Sequence, residues 1–161
     1  MIESLLAVAL LFVAACAGSL GGPTTPVLDL KVTNEQGRSL ELAELRGRPS
    51  VLFLFTTYDA TSQLALTPLI LASQTEDRVT FIGIAVQPDA RLFLGQFKKF
   101  LEIPFALYID DTGALLQGTS ALGKVPGVPA YVALDAEGHV RKTFFGVAKK
   151  DAIEELVDSA L

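Results

Sequence analysis

Two uninterrupted runs of β-prone residues constrain the fold of this chain most. Residues 50–55 read SVLFLF and residues 78–86 read RVTFIGIAV, and neither run alternates apolar with polar side chains. Such runs are typical of strands that are buried on both faces of a sheet. The segment between them, QLALTPLILASQ, has the length of a helix and contains Pro68, which is expected to kink it. Strand, helix and strand in this order predict a parallel pair with a right-handed crossover.

The segments before and after these runs complete one α/β domain. Extended segments are predicted at 27–32 and 39–42, a helix at 89–101, a strand at 105–109, a helix or irregular segment at 112–122, strands at 130–134 and 140–145, and a closing helix at 149–161. The helix at 89–101 carries four large apolar residues on roughly one face: Leu92, Phe93, Phe97 and Phe100. The closing helix is expected to face inward with Ile153, Leu156, Val157 and Leu161.

The N-terminus has a different character from the rest of the chain. Residues 5–15 form an uncharged apolar run of eleven residues, which is short of the roughly 20 that a membrane-spanning helix needs. A signal-peptide core fits this length better. After Cys16 comes AGSLGGPTTP, whose composition predicts a flexible tether. The sequence therefore divides into a signal peptide at 1–15, a tether at 16–26 and a folded domain at 27–161.

The charge of the chain argues against a nucleic-acid partner. The formal net charge of the 161 residues is −5, and no cluster of lysine and arginine adjoins an aromatic platform. The basic doublets at 98–99 and 149–150 are interpreted as solvated helix faces, with at most a weak preference for anionic lipid headgroups.

Cys16 stands at the end of the apolar run, between Ala15 and Ala17. This arrangement resembles the lipobox of bacterial lipoproteins, in which the cysteine thiol takes a diacylglycerol and the peptide is cut just before it. The resemblance implies a domain anchored through Cys16 to a membrane of the bacterial cell envelope, in the periplasm or outside the cell. The first residues depart from the pattern, because they carry no lysine or arginine. An ordinary secretory signal and a short N-terminal anchor remain as alternatives.

Four segments together resemble the thioredoxin superfamily and, within it, the TlpA/ResA-like, AhpC/TSA-related thiol-disulfide oxidoreductases. They are GRSLELAELRGRPSVLFLF, the loop with the helix that contains Pro68, RVTFIGIAV, and GVPAYVALDAEGHV. The resemblance implies a thioredoxin-like fold with a central mixed β-sheet flanked by helices. It also implies a cis peptide bond between Val128 and Pro129, in a loop that lies against the active site.

The CxxC motif of that family would fall within residues 56–63, which contain no cysteine. Alignment to the TlpA-like loop places Asp59 and Ser62 at the two cysteine positions. Alignment to the CxxxC motif of the Sco copper chaperones places Tyr58 and Ser62 there instead. From the residues alone, Ser62 is better explained as the N-cap of the following helix.

The residues present in this sequence do not support the usual catalytic mechanisms of the resembled families, so we assign no catalytic residue, no metal site and no cofactor. Dithiol exchange needs two thiols, and this chain has one cysteine, which lies in the N-terminal region. Serine hydrolysis at Ser62 lacks a neighbouring base. The only histidine, His139, and the pair Asp110-Asp111 are interpreted as solvated turn residues.

Three functions remain open. The first is a redox-inactive, chaperone-like accessory of the cell envelope that holds a polypeptide partner in the groove beside Pro129. The second is a redox-family member of the oxidoreductase or antioxidant type that acts with the cysteines of a partner. The third is a purely structural lipoprotein.

Overall fold

The computed structural model of the protein describes residues 26 and 29–161. The predicted signal peptide, Cys16 and nearly all of the predicted tether lie outside these residues. The elements are β1 (Lys31–Thr33), β2 (Ser39–Glu41), a 3-10 helix (Leu42–Leu45), β3 (Ser50–Phe55), α1 (Ala60–Thr75), β4 (Thr80–Ala85), α2 (Ala90–Phe100), β5 (Ala106–Ile109), α3 (Ala114–Gln117), β6 (Ala130–Leu134), β7 (Val140–Phe145) and α4 (Lys150–Ala160). Within this part of the chain, no helix combines the length and apolar character needed to cross a membrane.

Seven strands form one mixed sheet in the order β2-β1-β5-β4-β3-β6-β7. The pair β3/β4 is parallel, as the order of strand, helix and strand predicts, and β5 is also parallel to β4. The pairs β1/β2, β1/β5, β3/β6 and β6/β7 are antiparallel. The predicted mixed sheet flanked by helices is therefore confirmed.

The side chains of β3 explain why the run at 50–55 carries no polar alternation. Phe53 and Phe55 point into a core that contains α1, α2 and α4. Leu52 and Leu54 point into a second core, which contains the 3-10 helix and α3. Because helices cover both faces of the sheet, every position of β3 is buried.

Two predicted helix faces differ from the structure. The buried stripe of α2 consists of Ala90, Leu94 and Phe97, whereas Leu92 is 78% and Phe100 is 85% exposed. In α4 the inward positions end with Ala160, and Leu161 is half exposed. An amphipathic pattern identifies a helix, but the stripe that packs is set by the neighbouring strands.

Candidate functional site

Helix α1 begins just after the carboxyl end of β3, and Asp59 is its N-cap. Asp59 has an extended backbone conformation, and its carboxylate accepts hydrogen bonds from the N–H groups of Thr61 at 3.1 Å and Ser62 at 3.0 Å. The prediction that Ser62 is the N-cap is therefore wrong. The helix starts three residues earlier, because the carboxylate of Asp59 satisfies two N–H groups at once.

Ser62 instead lies inside the first turn of α1 and is fully buried. Its hydroxyl donates a hydrogen bond of 2.9 Å to Asp59 Oδ2 and accepts one of 3.4 Å from the N–H of Thr56. Both hydrogen-bonding roles of the hydroxyl are thus filled within the protein. Ser62 is a structural link between β3 and α1, with no access for a substrate.

The hydrogen bonds around Asp59 also determine its protonation. The hydroxyl of Thr61, at 2.6 Å from Oδ2, makes the largest contribution and lowers the pKa of Asp59 below its ordinary value of 3.8. Partial burial acts in the opposite direction, and the hydrogen bonds from Ser62 lower the pKa further. The cap is therefore held in its ionised form.

The loop before β6 lies next to the start of α1. Leu54 of β3 pairs with Ala130, so Pro129 comes beside the last residue of β3. The Val128–Pro129 peptide bond is cis. Pro129 is buried and its carbonyl accepts a hydrogen bond from the N–H of Gly146, while Val128 packs partly against the core on the α3 side of the sheet. The start of α1 and the loop that contains Pro129 thus lie at the same end of β3.

Tyr131, two residues after Pro129, fixes α1 to this end of β6. Its phenol is buried and donates a hydrogen bond of 3.3 Å to the carbonyl of Ala65 in α1. Desolvation raises the pKa of Tyr131 to about 12, so the phenol stays neutral under ordinary conditions. A neutral buried phenol holds the helix in place and provides no acid–base group at neutral pH.

Gln87 also belongs to this site, although it was not among the residues predicted from the sequence. It follows β4, is 2% exposed, and its side-chain oxygen accepts a hydrogen bond from the N–H of Thr57. Its side-chain nitrogen donates to Thr57 Oγ1 at 2.8 Å and to Asp89 Oδ1 at 3.0 Å. One buried amide therefore joins the β3–α1 loop to the start of α2. The sequence feature that could have identified Gln87 is its position as a polar residue directly after the predicted buried strand at 78–86.

The segments that Gln87 joins form the two walls of a groove of about 560 Å³. We call it the aromatic groove, and its lining consists of Thr57, Tyr58, Asp89, Phe93, Gln96, Phe97 and Phe100. Tyr58 is 74% exposed, and Phe93 and Phe100 are also solvent accessible. The groove lies on the α2 side of Tyr58 and does not include Val128 or Pro129, so the groove predicted beside Pro129 is a separate surface and stays a prediction.

Two places elsewhere in residues 29–161 carry carboxylates that could be considered as metal ligands: Asp110, and the cluster of Asp135, Glu137 and His139. Asp110 is buried, and its carboxylate accepts hydrogen bonds from the N–H groups of Ala114 and Leu115 at the start of α3, so its interpretation as a solvated residue is wrong. Ligand atoms of Asp135, Glu137 and His139 lie within 4.8 Å of one another. The carboxylate of Asp135 already accepts the N–H groups of the other two residues, which the hairpin turn requires.

Known structures resemble this architecture over most of its length. DsbF from MTB, in mixed oxidized and reduced forms, has a TM-score of 0.73 and 22% identity, with 86% of this chain and 100% of that chain covered. A thiol:disulfide interchange protein of the thioredoxin family from Chlorobium tepidum has a TM-score of 0.70 and 21% identity, with 84% and 95% covered. The exposed lipoprotein thioredoxin Etrx1 from Streptococcus pneumoniae has a TM-score of 0.65 and 20% identity, with 81% and 98% covered.

This chain has a thioredoxin-like fold. Identities of 20–22% support the fold and not a particular activity. No protein-family model matches the sequence, and no curated protein matches it. Some of these neighbours are described as thiol:disulfide interchange proteins or as a disulfide oxidoreductase, and the residues of this chain have to be judged by their own chemistry.

Proposed function

We propose that this protein is a redox-inactive member of the thioredoxin-like fold, anchored by a lipid on Cys16 in the bacterial cell envelope, where it binds a polypeptide as an accessory or chaperone-like factor. The observation that carries the proposal is the contrast at the start of α1. The hydroxyl of Ser62, which both alignments place at a cysteine position, is buried and hydrogen bonded, whereas the aromatic groove beside this turn is open to solvent.

The loss of redox chemistry follows from the residues at the cysteine positions. Disulfide exchange proceeds by attack of a thiolate and is completed by a second thiol. Neither Asp59 nor Tyr58 supplies a thiol, and the hydroxyl of Ser62 is buried and hydrogen bonded. The single cysteine, Cys16, is separated from the domain by a segment rich in glycine and proline.

The binding role rests on apolar surface that the fold does not need. Large side chains exposed side by side carry a hydration cost that a soluble domain normally avoids, and such patches mark interaction sites. Tyr58 and Phe100 are 74% and 85% exposed, and both line the same groove. Aromatic side chains are also the residues that contribute most to protein interfaces.

The envelope location rests on Cys16 and the apolar run before it. One structural neighbour, Etrx1, is described as an exposed lipoprotein thioredoxin. Attachment of two or three acyl chains at Cys16 provides stable anchoring, since each buried methylene contributes about 0.8 kcal/mol. Mass spectrometry of the protein from native membranes tests this part by the mass of the N-terminal peptide.

The experiment for the binding role is crosslinking of the full-length protein in its native membranes, followed by mass spectrometry of the captured polypeptides. Tyr58→Glu places a charge in the groove, and Leu71→Glu places the same charge at a similarly exposed position on α1 outside it. We expect a partner that is lost with Tyr58→Glu and kept with Leu71→Glu. Equal capture by both variants would contradict the proposal.

A separate assay addresses redox activity. The Cys16→Ser protein is incubated with a disulfide substrate and a thiol reductant, and turnover is compared with the reaction without protein. We expect no turnover above background. Clear turnover would favour a redox role and overturn the assignment of the protein as redox-inactive.

A further inference from the structure

The aromatic groove contains one carboxylate among its aromatic walls, and this restricts what it can bind. Asp89 lines the groove together with Tyr58, Phe93 and Phe100. The negative faces of aromatic rings and a nearby carboxylate both attract a cation. A purely apolar partner would leave Asp89 desolvated beside it without a counter-charge, which is costly.

The position of Asp89 is fixed before any ligand arrives. Asp89 is the N-cap residue of α2, but its side chain makes no capping hydrogen bond. It accepts instead from the buried amide of Gln87, at 3.0 Å from Oδ1. In the described part of the chain no lysine or arginine forms an ion pair with Asp89, so the carboxylate keeps acceptor capacity for a ligand.

The opposite wall of the groove is held by the same amide. Gln87 accepts from the N–H of Thr57 and donates to Thr57 Oγ1, and Tyr58 is the next residue along this loop. The ring of Phe97 closes the floor of the groove and stacks on Phe55 of β3, with centroids 5.3 Å apart. The groove is thus a preorganised site between rigid elements, which reduces the entropic cost of binding.

We propose that the aromatic groove binds an arginine side chain of the partner polypeptide, with Asp89 as its counter-charge and Tyr58, Phe93 and Phe100 as the surfaces on which the guanidinium and its neighbours pack. This inference rests on the proposed polypeptide-binding function and names the chemistry of the partner. A planar guanidinium stacks on aromatic faces and donates to a carboxylate at the same time. The exposed amide of Gln96 offers a further acceptor in the groove.

The chain offers a selective probe of this site. It contains three tyrosines, Tyr58, Tyr108 and Tyr131, and of these only Tyr58 lines the groove. Full-length protein in neutral detergent, labelled with 3-fluorotyrosine, therefore gives one fluorine resonance that reports on the groove and two internal controls. The resonance of Tyr58 is assigned by its loss in Tyr58→Phe.

The ligands are two capped tripeptides that have leucine at both ends and differ only in the central residue. The central residue is arginine in one peptide and citrulline in the other, which has nearly the same shape and no charge. We expect the arginine peptide to shift the Tyr58 resonance with an affinity about tenfold higher than that of the citrulline peptide, as one partly desolvated charge contact would give. The resonances of Tyr108 and Tyr131 should stay in place.

Two variants test whether Asp89 causes the preference for the arginine peptide over the citrulline peptide. In Asp89→Asn the two peptides should bind with affinities within about twofold of each other, since the counter-charge is gone. Asp151→Asn removes a carboxylate from the first turn of α4, outside the groove, and should keep the tenfold difference. Unchanged resonances of Tyr108 and Tyr131 show that each variant is folded.

Equal affinities of the two peptides for the wild-type protein, or a preference that survives in Asp89→Asn, would overturn the inference. A partner captured through Tyr58 without any preference for arginine would likewise overturn it, while leaving the proposed polypeptide-binding function intact. If crosslinking of the wild-type protein captures no polypeptide whose capture depends on Tyr58, that result would count against the proposed polypeptide-binding function itself.

Discussion

On one side of the β3–α1 loop the side chains are hydrogen bonded to one another, and on the other side they are exposed to solvent. Toward α1, the carboxylate of Asp59 accepts from Thr61 and Ser62, and Ser62 is fully buried. Toward α2, the ring of Tyr58 stands in solvent beside Phe93 and Phe100. At the start of α1 the polar side chains form a helix cap, whereas the adjoining aromatic side chains are exposed to solvent.

The largest expected effect comes from removing the buried amide that ties the β3–α1 loop to the start of α2. Gln87→Leu removes the amide that joins Thr57 to Asp89 and leaves the N–H of Thr57 without its partner. We expect the free energy of unfolding to fall by about 2 kcal/mol, measured by urea denaturation. The control is Gln63→Leu, because exposed Gln63 donates only one hydrogen bond to the same loop and should cost less than about 0.5 kcal/mol.

A smaller effect is expected on the α1 side alone. Asp59→Ala removes the N-cap and leaves the hydroxyl of buried Ser62 without its acceptor. We expect a loss of about 1 kcal/mol in urea denaturation, and a smaller loss for Asp59→Asn, which can still accept. Arginine-peptide binding in the groove should be unchanged in Asp59→Asn. A loss of binding in that variant would show that the two sides are coupled.

The pH dependence of stability isolates the ionised state of Asp59. Its pKa in the folded protein lies below the ordinary value of 3.8, so its contribution is fully present above that pH and is lost as the pH falls through the folded pKa. Denaturation curves of wild type and Asp59→Asn between about pH 5 and pH 2 should therefore converge toward the acid end. Asp135 and Glu76 also have lowered pKa values, but they contribute equally to both proteins. If the free energies of unfolding of the two proteins differ by the same amount at every pH, the stabilising role of the Asp59 charge would be contradicted.

The smallest effect on stability is expected on the groove side. Tyr58→Glu alters a side chain that is 74% exposed and makes no hydrogen bond to residues 29–161, so the free energy of unfolding should change by less than about 0.5 kcal/mol. Thermal denaturation checks this. A large destabilisation would mean that the aromatic surface supports the fold, which would remove the main argument for a binding role.

The sequence predicted the sheet more accurately than the site. The bounds of β3, β6 and β7 agree with the structure, because each strand is bordered by glycine, proline or a polar residue. The start of α1 was misplaced, since both Asp59 and Ser62 are good N-caps and only the geometry of the loop decides between them. Helix α2 shows why periodicity alone is insufficient. It has two apolar stripes, and the strands bury the one that contains Leu94.

The groove could not be derived from local sequence at all. Its walls come from the loop after β3 and from the helix after β4, and the parallel register of these strands brings Tyr58 and Asp89 together. The tie between them is a single buried residue, Gln87, whose partners are 30 and two positions away in the chain. Contacts of this kind follow from tertiary structure and leave no periodic signal in the sequence.

Partner capture by two variants on opposite sides of the loop tests the account most directly. Ser62→Ala removes the buried hydroxyl on the α1 side, and Tyr58→Glu alters the exposed groove. Full-length wild type and both variants are crosslinked in native membranes, and the captured polypeptide is quantified by mass spectrometry. The account predicts that Ser62→Ala captures the partner as well as wild type does, while Tyr58→Glu falls to background. Capture that depends on Ser62 and not on Tyr58 would contradict it.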